Sequence, residues 1–421
     1  MANIRNIIKA LLFTPNENGW GLVASFYQGP GFAKSYVLRE VAKSCGLLCE
    51  VLSPGERGEG AFGCVPVPRK LTDDEKSGVL GELLKEGVLT TDTVLDYPLP
   101  SWALPFFRAG RGVVVCDEVT TTPPALMPAL LGLLLDKRIG GQQLPLAVRM
   151  LGAYNPPECA ATGYDLPPPV ANRMAHIKWE IGEAQDHADY ISVSIATLGN
   201  LQAVSDQSTL ADAAEIDPAA EEARVLREWP AAAADAAGAY AGFITKRPDL
   251  LHQQPEAHDP KSSGAWPSRR TWAYAVRALA TCKVHGLTDE ERDMLIYGYV
   301  GAGAGGEFID YLAENDLPSA LDVLDGKVEF VHDKTRLDIT HAVLSACVAY
   351  TCPPDAVDRD ARAKKFWKVL SDVVEAKAKD VAYPHILKMA KAGHLRHKEC
   401  RVCLKACNKM MEAAGIKVPK V

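Results

Sequence analysis

The stretch "YQGPGFAKSYV", residues 27–37, decides how the chain reads. It closes a candidate strand, "GLVASFYQ" (21–28), and opens a candidate amphipathic helix, "KSYVLREVAKSCG" (34–46). Between them a Gly29-Pro30-Gly31 turn leads into Lys34-Ser35. Strand, glycine turn, Lys-Ser and helix is the order in which a phosphate-binding loop is built. In such a loop backbone N–H groups curl around the anion at a helix N-terminus, the lysine neutralises the β/γ charge and the hydroxyl reaches Mg²⁺. Two positions depart from the pattern: Gln28 and Ala33 stand where the loop carries glycines. Taken alone, the stretch is as readily a chance Lys-Ser after a turn.

Outward from it, residues 1–182 alternate strand and helix signals. "LLCEVLS" (47–53), "GVVVCDEV" (112–119), "AVRMLGAYN" (147–155) and "MAHIKWE" (174–180) join 21–28 as strands. Five strands separated by helices predict a three-layer α/β domain with a parallel sheet. The Gly/Pro-rich stretch 53–101 predicts loops with one helix near Asp73–Lys85. Beyond Gly182 the pattern turns helical and Ala-rich to about residue 330, broken by a loop over 252–268, and stays helical to the end. The expected division is a core over 1–182, a helical lid over 183–330 and a helical C-terminal domain over 331–421.

Composition bounds the function. The 421 residues carry 48% hydrophobic and 24% charged side chains, ordinary for a globular chain. The formal net charge is -7. From His385 onward nine Lys/Arg face two Glu, leaving -14 on the rest. That balance argues against nucleic acid as a partner and reads the basic tail as a solvated helix face or a binding patch. No apolar run has the length of a membrane span. The N-terminus does not read as a secretion signal, and eleven scattered cysteines point to a reducing, cytoplasmic setting.

Two further stretches carry candidate chemistry. "VVVCDEV" sets Asp117 and Glu118 at the tip of a buried strand, where adjacent carboxylates are costly unless paired with a cation or used. The bland reading is an acid pair capping the following helix. Asn155 ends the next strand at the same sheet edge, where open α/β sheets bind ligands. Its bland reading is a turn residue before Pro156-Pro157. Asn172-Arg173 precedes the fifth strand, and Arg173 is otherwise a surface ion-pair partner. "GAGAGG" (301–306) imitates a dinucleotide fingerprint, but no strand leads into it, so it reads as a flexible break between helices. "HLRHKECRVCLKAC" holds His394, His397, Cys400, Cys403 and Cys407. On one continuous helix His394 and Cys403 point to opposite sides, so the cysteines read as small buried residues.

Together "GPGFAKS", "VVVCDEVTTTPPALMPALLGLLLDKRIG", "YNPP" and "GYDLPPPVANRM" resemble the AAA+ ATPases of the MoxR type. The likeness extends to "WPSRRTW" and, more loosely, to "YVGAGAGGEFIDYLAENDLPSALDVL", covering roughly residues 15–325. It implies a P-loop AAA+ core of αβα layers followed by an all-α lid and a helical C-terminal region. It also implies ATP and Mg²⁺ as cofactors. Gly29, Pro30, Gly31, Phe32, Ala33, Lys34, Ser35 and Tyr36 match the nucleotide loop, with Ser35 and Asp117 on the metal. Glu118 matches the catalytic base, Asn155 the sensor of the attacking water, and Arg173 the arginine finger that acts on a neighbouring subunit's ATP. Arg270 matches the lid arginine, with Arg269 as the alternative. The hairpin around Ile139–Leu144 matches an insert these rings use on partners. Asn172 departs from the family's usual Asp. The resemblance further implies a homo-oligomeric, hexameric ring that remodels a protein partner with a von Willebrand A-like or metallopeptidase-like domain. Its rivals are a non-hydrolysing nucleotide-binding scaffold, suggested by the altered loop, and a nucleic-acid-dependent ATPase, suggested by the basic tail.

Overall fold

Val113, Val114, Val115 and Cys116 are all fully buried, as an apolar run must be when both faces of its strand are covered. They belong to a parallel five-stranded sheet of β1 (Ala24–Tyr27), β2 (Cys49–Leu52), β3 (Arg111–Cys116), β4 (Ala147–Tyr154) and β5 (Ala175–Lys178). The strand order is β5-β1-β4-β3-β2, and helices flank the sheet. These are the five strands expected from the sequence. The computed structural model describes residues 3–63, 65–159, 163–179, 214–256, 258–354, 356 and 358–416.

Pairing aligns one residue from every strand in a single row, Leu52–Cys116–Gly152–Ser25–His176. Gly152 is required in that row because a Cβ there would lie 2.1 Å from Ser25 Oγ. The order also seats β4 between β1 and β3. The carboxyl end of β4 therefore lies between the loop after β1 and the acids after β3, the edge where such sheets hold ligands.

The chain divides into two compact units, residues 11–220 and residues 221–421 with 1–10. The first contains the sheet. The second is helical, with long members at Arg269–His285, Asp289–Glu314 and Leu337–Thr351. Within it Trp272, Phe243 and Phe308 pack ring to ring, and Trp367, Phe366 and Leu370 centre a further cluster. The expected 182/183 boundary lies outside the described residues. Residues 330 and 331 fall in the helical unit, between Ala320–Asp325 and Leu337–Thr351.

Of three further expectations, two are corrected and one is borne out. The single helix near Asp73–Lys85 is two, Asp73–Ser77 and Val79–Lys85, because Gly78 is extended at φ -98°, ψ -161°. The surrounding stretch also holds an antiparallel hairpin, Val67–Lys70 with Thr93–Asp96. Arg69 pairs with Glu75 and Asp96 there, and Lys70 with Asp92. Its residues are largely exposed, so no buried face wrote a periodic signal into the sequence. Second, "GAGAGG" opens on the expected break between helices: Asp289–Glu314 is kinked at Gly301 (φ 79°, ψ 162°) and helical on either side. Third, His394 to Cys407 do not share one helix. A helix ends at Lys391, His394 follows in a turn, a short 3-10 turn spans Lys398–Cys400 and a new helix covers Arg401–Ala413.

Candidate functional site

The helix after β1, α1 (Lys34–Ser44), starts without any side chain capping its first turn, which leaves backbone N–H groups directed at the loop. Its N-cap residue is Ala33, in the left-handed conformation at φ 53°, ψ 24°. A methyl there costs about 1–2 kcal/mol relative to glycine, and the loop holds the left-handed turn in spite of it. Gln28 also has a part that the pattern hides. Its Nε2 donates to the Trp179 carbonyl at 3.2 Å and its Oε1 accepts from Gly29 N–H at 3.1 Å, tying the loop's start to the end of β5.

Lys34 is buried, and its ammonium donates to the Gln28 carbonyl (2.9 Å), the Gly29 carbonyl (3.0 Å) and Asn155 Oδ1 (2.9 Å). All three donors are thus engaged. Burial lowers the Lys34 pKa, while the carboxylates of Asp117 and Glu118 work against that shift and favour the cation. Next to it Ser35 Oγ donates to Asp117 Oδ2, and Asp117 Oδ1 accepts from Glu118 N–H at 2.9 Å. Glu118 is left-handed as well (φ 53°, ψ 45°), which turns the chain off the end of β3 into the 3-10 turn Val119–Thr121. Its carboxylate takes no hydrogen bond from any described residue.

The structure thus brings Lys34, Ser35, Asp117 and Asn155 into direct contact, with Glu118 adjoining them. Tyr36 faces outward and donates to Glu40 at 2.6 Å; Pro30 and Gly31 are exposed. Arg173 follows the short helix Pro168–Ala171, and its Nε is buried with no hydrogen-bond partner among the described residues. Asn172 beside it is buried. Arg269 and Arg270 are both exposed in the first turn of Arg269–His285, in the helical unit. The expected hairpin is present as Arg138–Ile139 with Gln142–Gln143.

Two supports escape sequence reading. Thr120, buried in the turn after Glu118, donates from Oγ1 to the Asn155 carbonyl at 3.0 Å and so fixes the end of β4. The Tyr154 hydroxyl lies 2.9 Å from His176 Nδ1, and His176 Nε2 lies 2.9 Å from the Ala171 carbonyl. A carbonyl only accepts, so Nε2 carries the proton and Nδ1 accepts from Tyr154. Burial lowers the His176 pKa and favours this neutral form. The pair links the strand of Asn155 to the helix that precedes Arg173. Neither residue type announces such a role in sequence.

At the foot of the hairpin two cations are buried together. Lys137 donates to the carbonyls of Trp20 (3.0 Å) and Leu146 (2.7 Å). Burial, with the Arg149 guanidinium nearby, pushes the Lys137 pKa down to about 7. Arg149 donates to the Leu12 carbonyl at 3.0 Å and lies over the rings of Phe13 and Trp20.

No family model matches the chain, and no curated protein matches it. Among solved structures it is similar to a "putative ATPase" from Cytophaga hutchinsonii, at 13% identity and a TM-score of 0.40, over 74% of this chain and 88% of that one. No helix among the described residues is long and apolar enough to cross a membrane.

Proposed function

We propose that this chain binds ATP with Mg²⁺ and hydrolyses it, as a ring-forming AAA+ protein of the MoxR type that acts on a protein partner. The observation that supports it most is the convergence of Lys34 on Asn155 and of Ser35 on Asp117 at the carboxyl edge of three adjacent strands. A hydroxyl and a carboxylate in contact are the hard oxygen donors that Mg²⁺ prefers. The uncapped start of α1 and the Lys34 ammonium suit polyphosphate. These residues fit the cofactor.

Ser35 and Asp117 would hold the metal, and residues 29–36 with Lys34 the phosphates. Bound Mg²⁺·ATP supplies the transferable γ-phosphoryl group and its charge neutralisation. Asn155, fixed by Thr120, orients water. The Glu118 carboxylate, free of hydrogen bonds from described residues, takes that water's proton. Arg173 acts across a subunit boundary, a reading favoured by its buried Nε, which has no hydrogen-bond partner among the described residues.

The ring, hexameric by family resemblance, and a von Willebrand A-like or metallopeptidase-like partner complete the proposal. Mg²⁺-dependent phosphate release by the full chain tests it. Turnover lost in both Lys34→Ala and Glu118→Gln, with binding lost only in the first, is the expected result. Nucleotide binding without turnover in the parent would favour the scaffold reading.

A further inference from the structure

Asp360, His394 and His397 each bring one ligand atom to within 4.8 Å of the others, although Asp360 is far upstream of the histidines. Asp360 lies in the first turn of α2 (Arg359–Glu375). The histidines occupy the connection from α3 (Lys379–Lys391) to α4 (Arg401–Ala413). His394 is 3% exposed, and its Nε2 is buried with no hydrogen-bond partner among the described residues. An orphaned buried imidazole nitrogen is costly and asks for an occupant. The two rings stack with centroids 6.1 Å apart, and His397 Nε2 lies 3.8 Å from Asp360 Oδ1. Asp360 itself is exposed, so the cluster opens to solvent on the carboxylate side.

We propose that Asp360, His394 and His397 form a site for a first-row divalent cation, Zn²⁺ by its ligand chemistry. Two imidazoles and one carboxylate are a ligand set of that class, with the remaining positions left to water. The backbone already holds both histidines in place. His394 N–H donates to the Met389 carbonyl at 3.1 Å and its own carbonyl accepts from Trp367 Nε1 at 2.9 Å. The His397 carbonyl accepts from Cys400 N–H at 3.3 Å and from its Sγ at 2.8 Å. Burial lowers the His394 pKa, as do the Arg359 and His397 charges, while the Asp360 carboxylate works against that shift. The Arg359 guanidinium is tied back by Nη2 to the carbonyls of Cys352 and Ala392.

The nearby cysteines are not the ligands. Cys400, Cys403 and Cys407 are buried in the core around Trp367 and Met411, and burial pushes the Cys403 thiol up to about 12. An ion on the other three residues clips the start of α2 to the α3–α4 connection. It is a fastening within the helical unit.

Calorimetric titration of the chelator-stripped full chain with Zn²⁺ in excess Mg²⁺ tests the site, with Mg²⁺ present to occupy hard oxygen sites. One Zn²⁺ per chain and a higher melting temperature are expected. Asp360→Asn changes a solvent-facing group, and His397→Ala a side chain that is only 9% exposed. Each should weaken Zn²⁺ by at least the roughly 10–100-fold that follows loss of an outer-shell partner. Co²⁺ should give weak ligand-field bands without thiolate charge transfer. No Zn²⁺ uptake, uptake unchanged in both variants, or a thiolate band would overturn the proposal.

Discussion

Lys34 Nζ donates to Asn155 Oδ1 at 2.9 Å, joining two residues 121 positions apart in the chain. The sheet order makes this contact: β4, which Asn155 directly follows, lies beside β1, from which the Lys34 loop springs. Asn155→Ala removes the side-chain amide while sparing the backbone carbonyl that Thr120 holds and the two carbonyls that also receive Lys34. Turnover should fall by about 10²–10³, the range for loss of one preorganised polar group, with nucleotide affinity changed far less. Parallel loss of binding and turnover would mean that Asn155 only shapes the loop.

Glu118→Gln preserves size and backbone but removes the basic oxygen. Hydrolysis should collapse while fluorescent-nucleotide binding stays near the parent value. Residual turnover close to the parent rate would reassign the base.

Arg173→Ala should reduce hydrolysis by about 10³-fold or more, as for an arginine finger supplied by a neighbour. Mixing Arg173→Ala with Lys34→Ala chains should restore activity in shared assemblies, because each contributes what the other lacks. Mixed assemblies shown by mass spectrometry to form, yet remaining silent, would count against action between subunits.

Ala33→Gly relieves a left-handed alanine worth about 1–2 kcal/mol, offset by about 0.4–1 kcal/mol of extra unfolded-state entropy. The net gain is between zero and roughly 1.6 kcal/mol of stability, at about 2–4 °C in melting temperature per kcal/mol for a unit of this size. A lower melting temperature would show that the methyl makes favourable contacts. Gln28→Gly should lower it, since the Trp179 and Gly29 hydrogen bonds go with the side chain.

Lys137 makes stability depend on pH. With a folded pKa of about 7, the unfolded chain binds a proton that the folded chain lacks from there to the ordinary lysine value near about 10.4. Stability therefore rises with pH across that window, at most about 1.4 kcal/mol per unit, and is flat below it. Lys137→Met should remove this component from urea titrations run between neutral and alkaline pH. Identical slopes for parent and variant would show that Lys137 keeps its proton throughout.

The sheet was legible because Val113–Cys116 and Val148–Tyr154 are buried on both faces, which writes an unbroken apolar run between Gly112 and Asp117 and one interrupted only by Arg149 before Asn155. The positions of Lys34, Asp117 and Asn155 were legible because each ends or follows a strand. What stayed hidden rests on contacts between residues distant in sequence. Thr120 and His176 act through single long-range hydrogen bonds, and the Val67–Lys70 hairpin is held by ion pairs. The cysteine-rich tail misled because its helical composition outweighed one glycine, Gly393 (φ 86°), which ends the helix after Lys391 and turns His394 toward Asp360.

The cross-sheet row Leu52–Cys116–Gly152–Ser25–His176 acts as a datum line for the site. Asp117 stands one residue beyond it and Asn155 three, distances that no loop can adjust. A single-residue deletion between Gly152 and Asn155, or an insertion between Cys116 and Asp117, would shift the following residue by about 3.3 Å and point it to the opposite face. Length changes in the connections upstream of each strand cost far less. Indel scanning should therefore find short intolerant segments, Asp117 and residues 153–155, set within connections whose lengths drift freely.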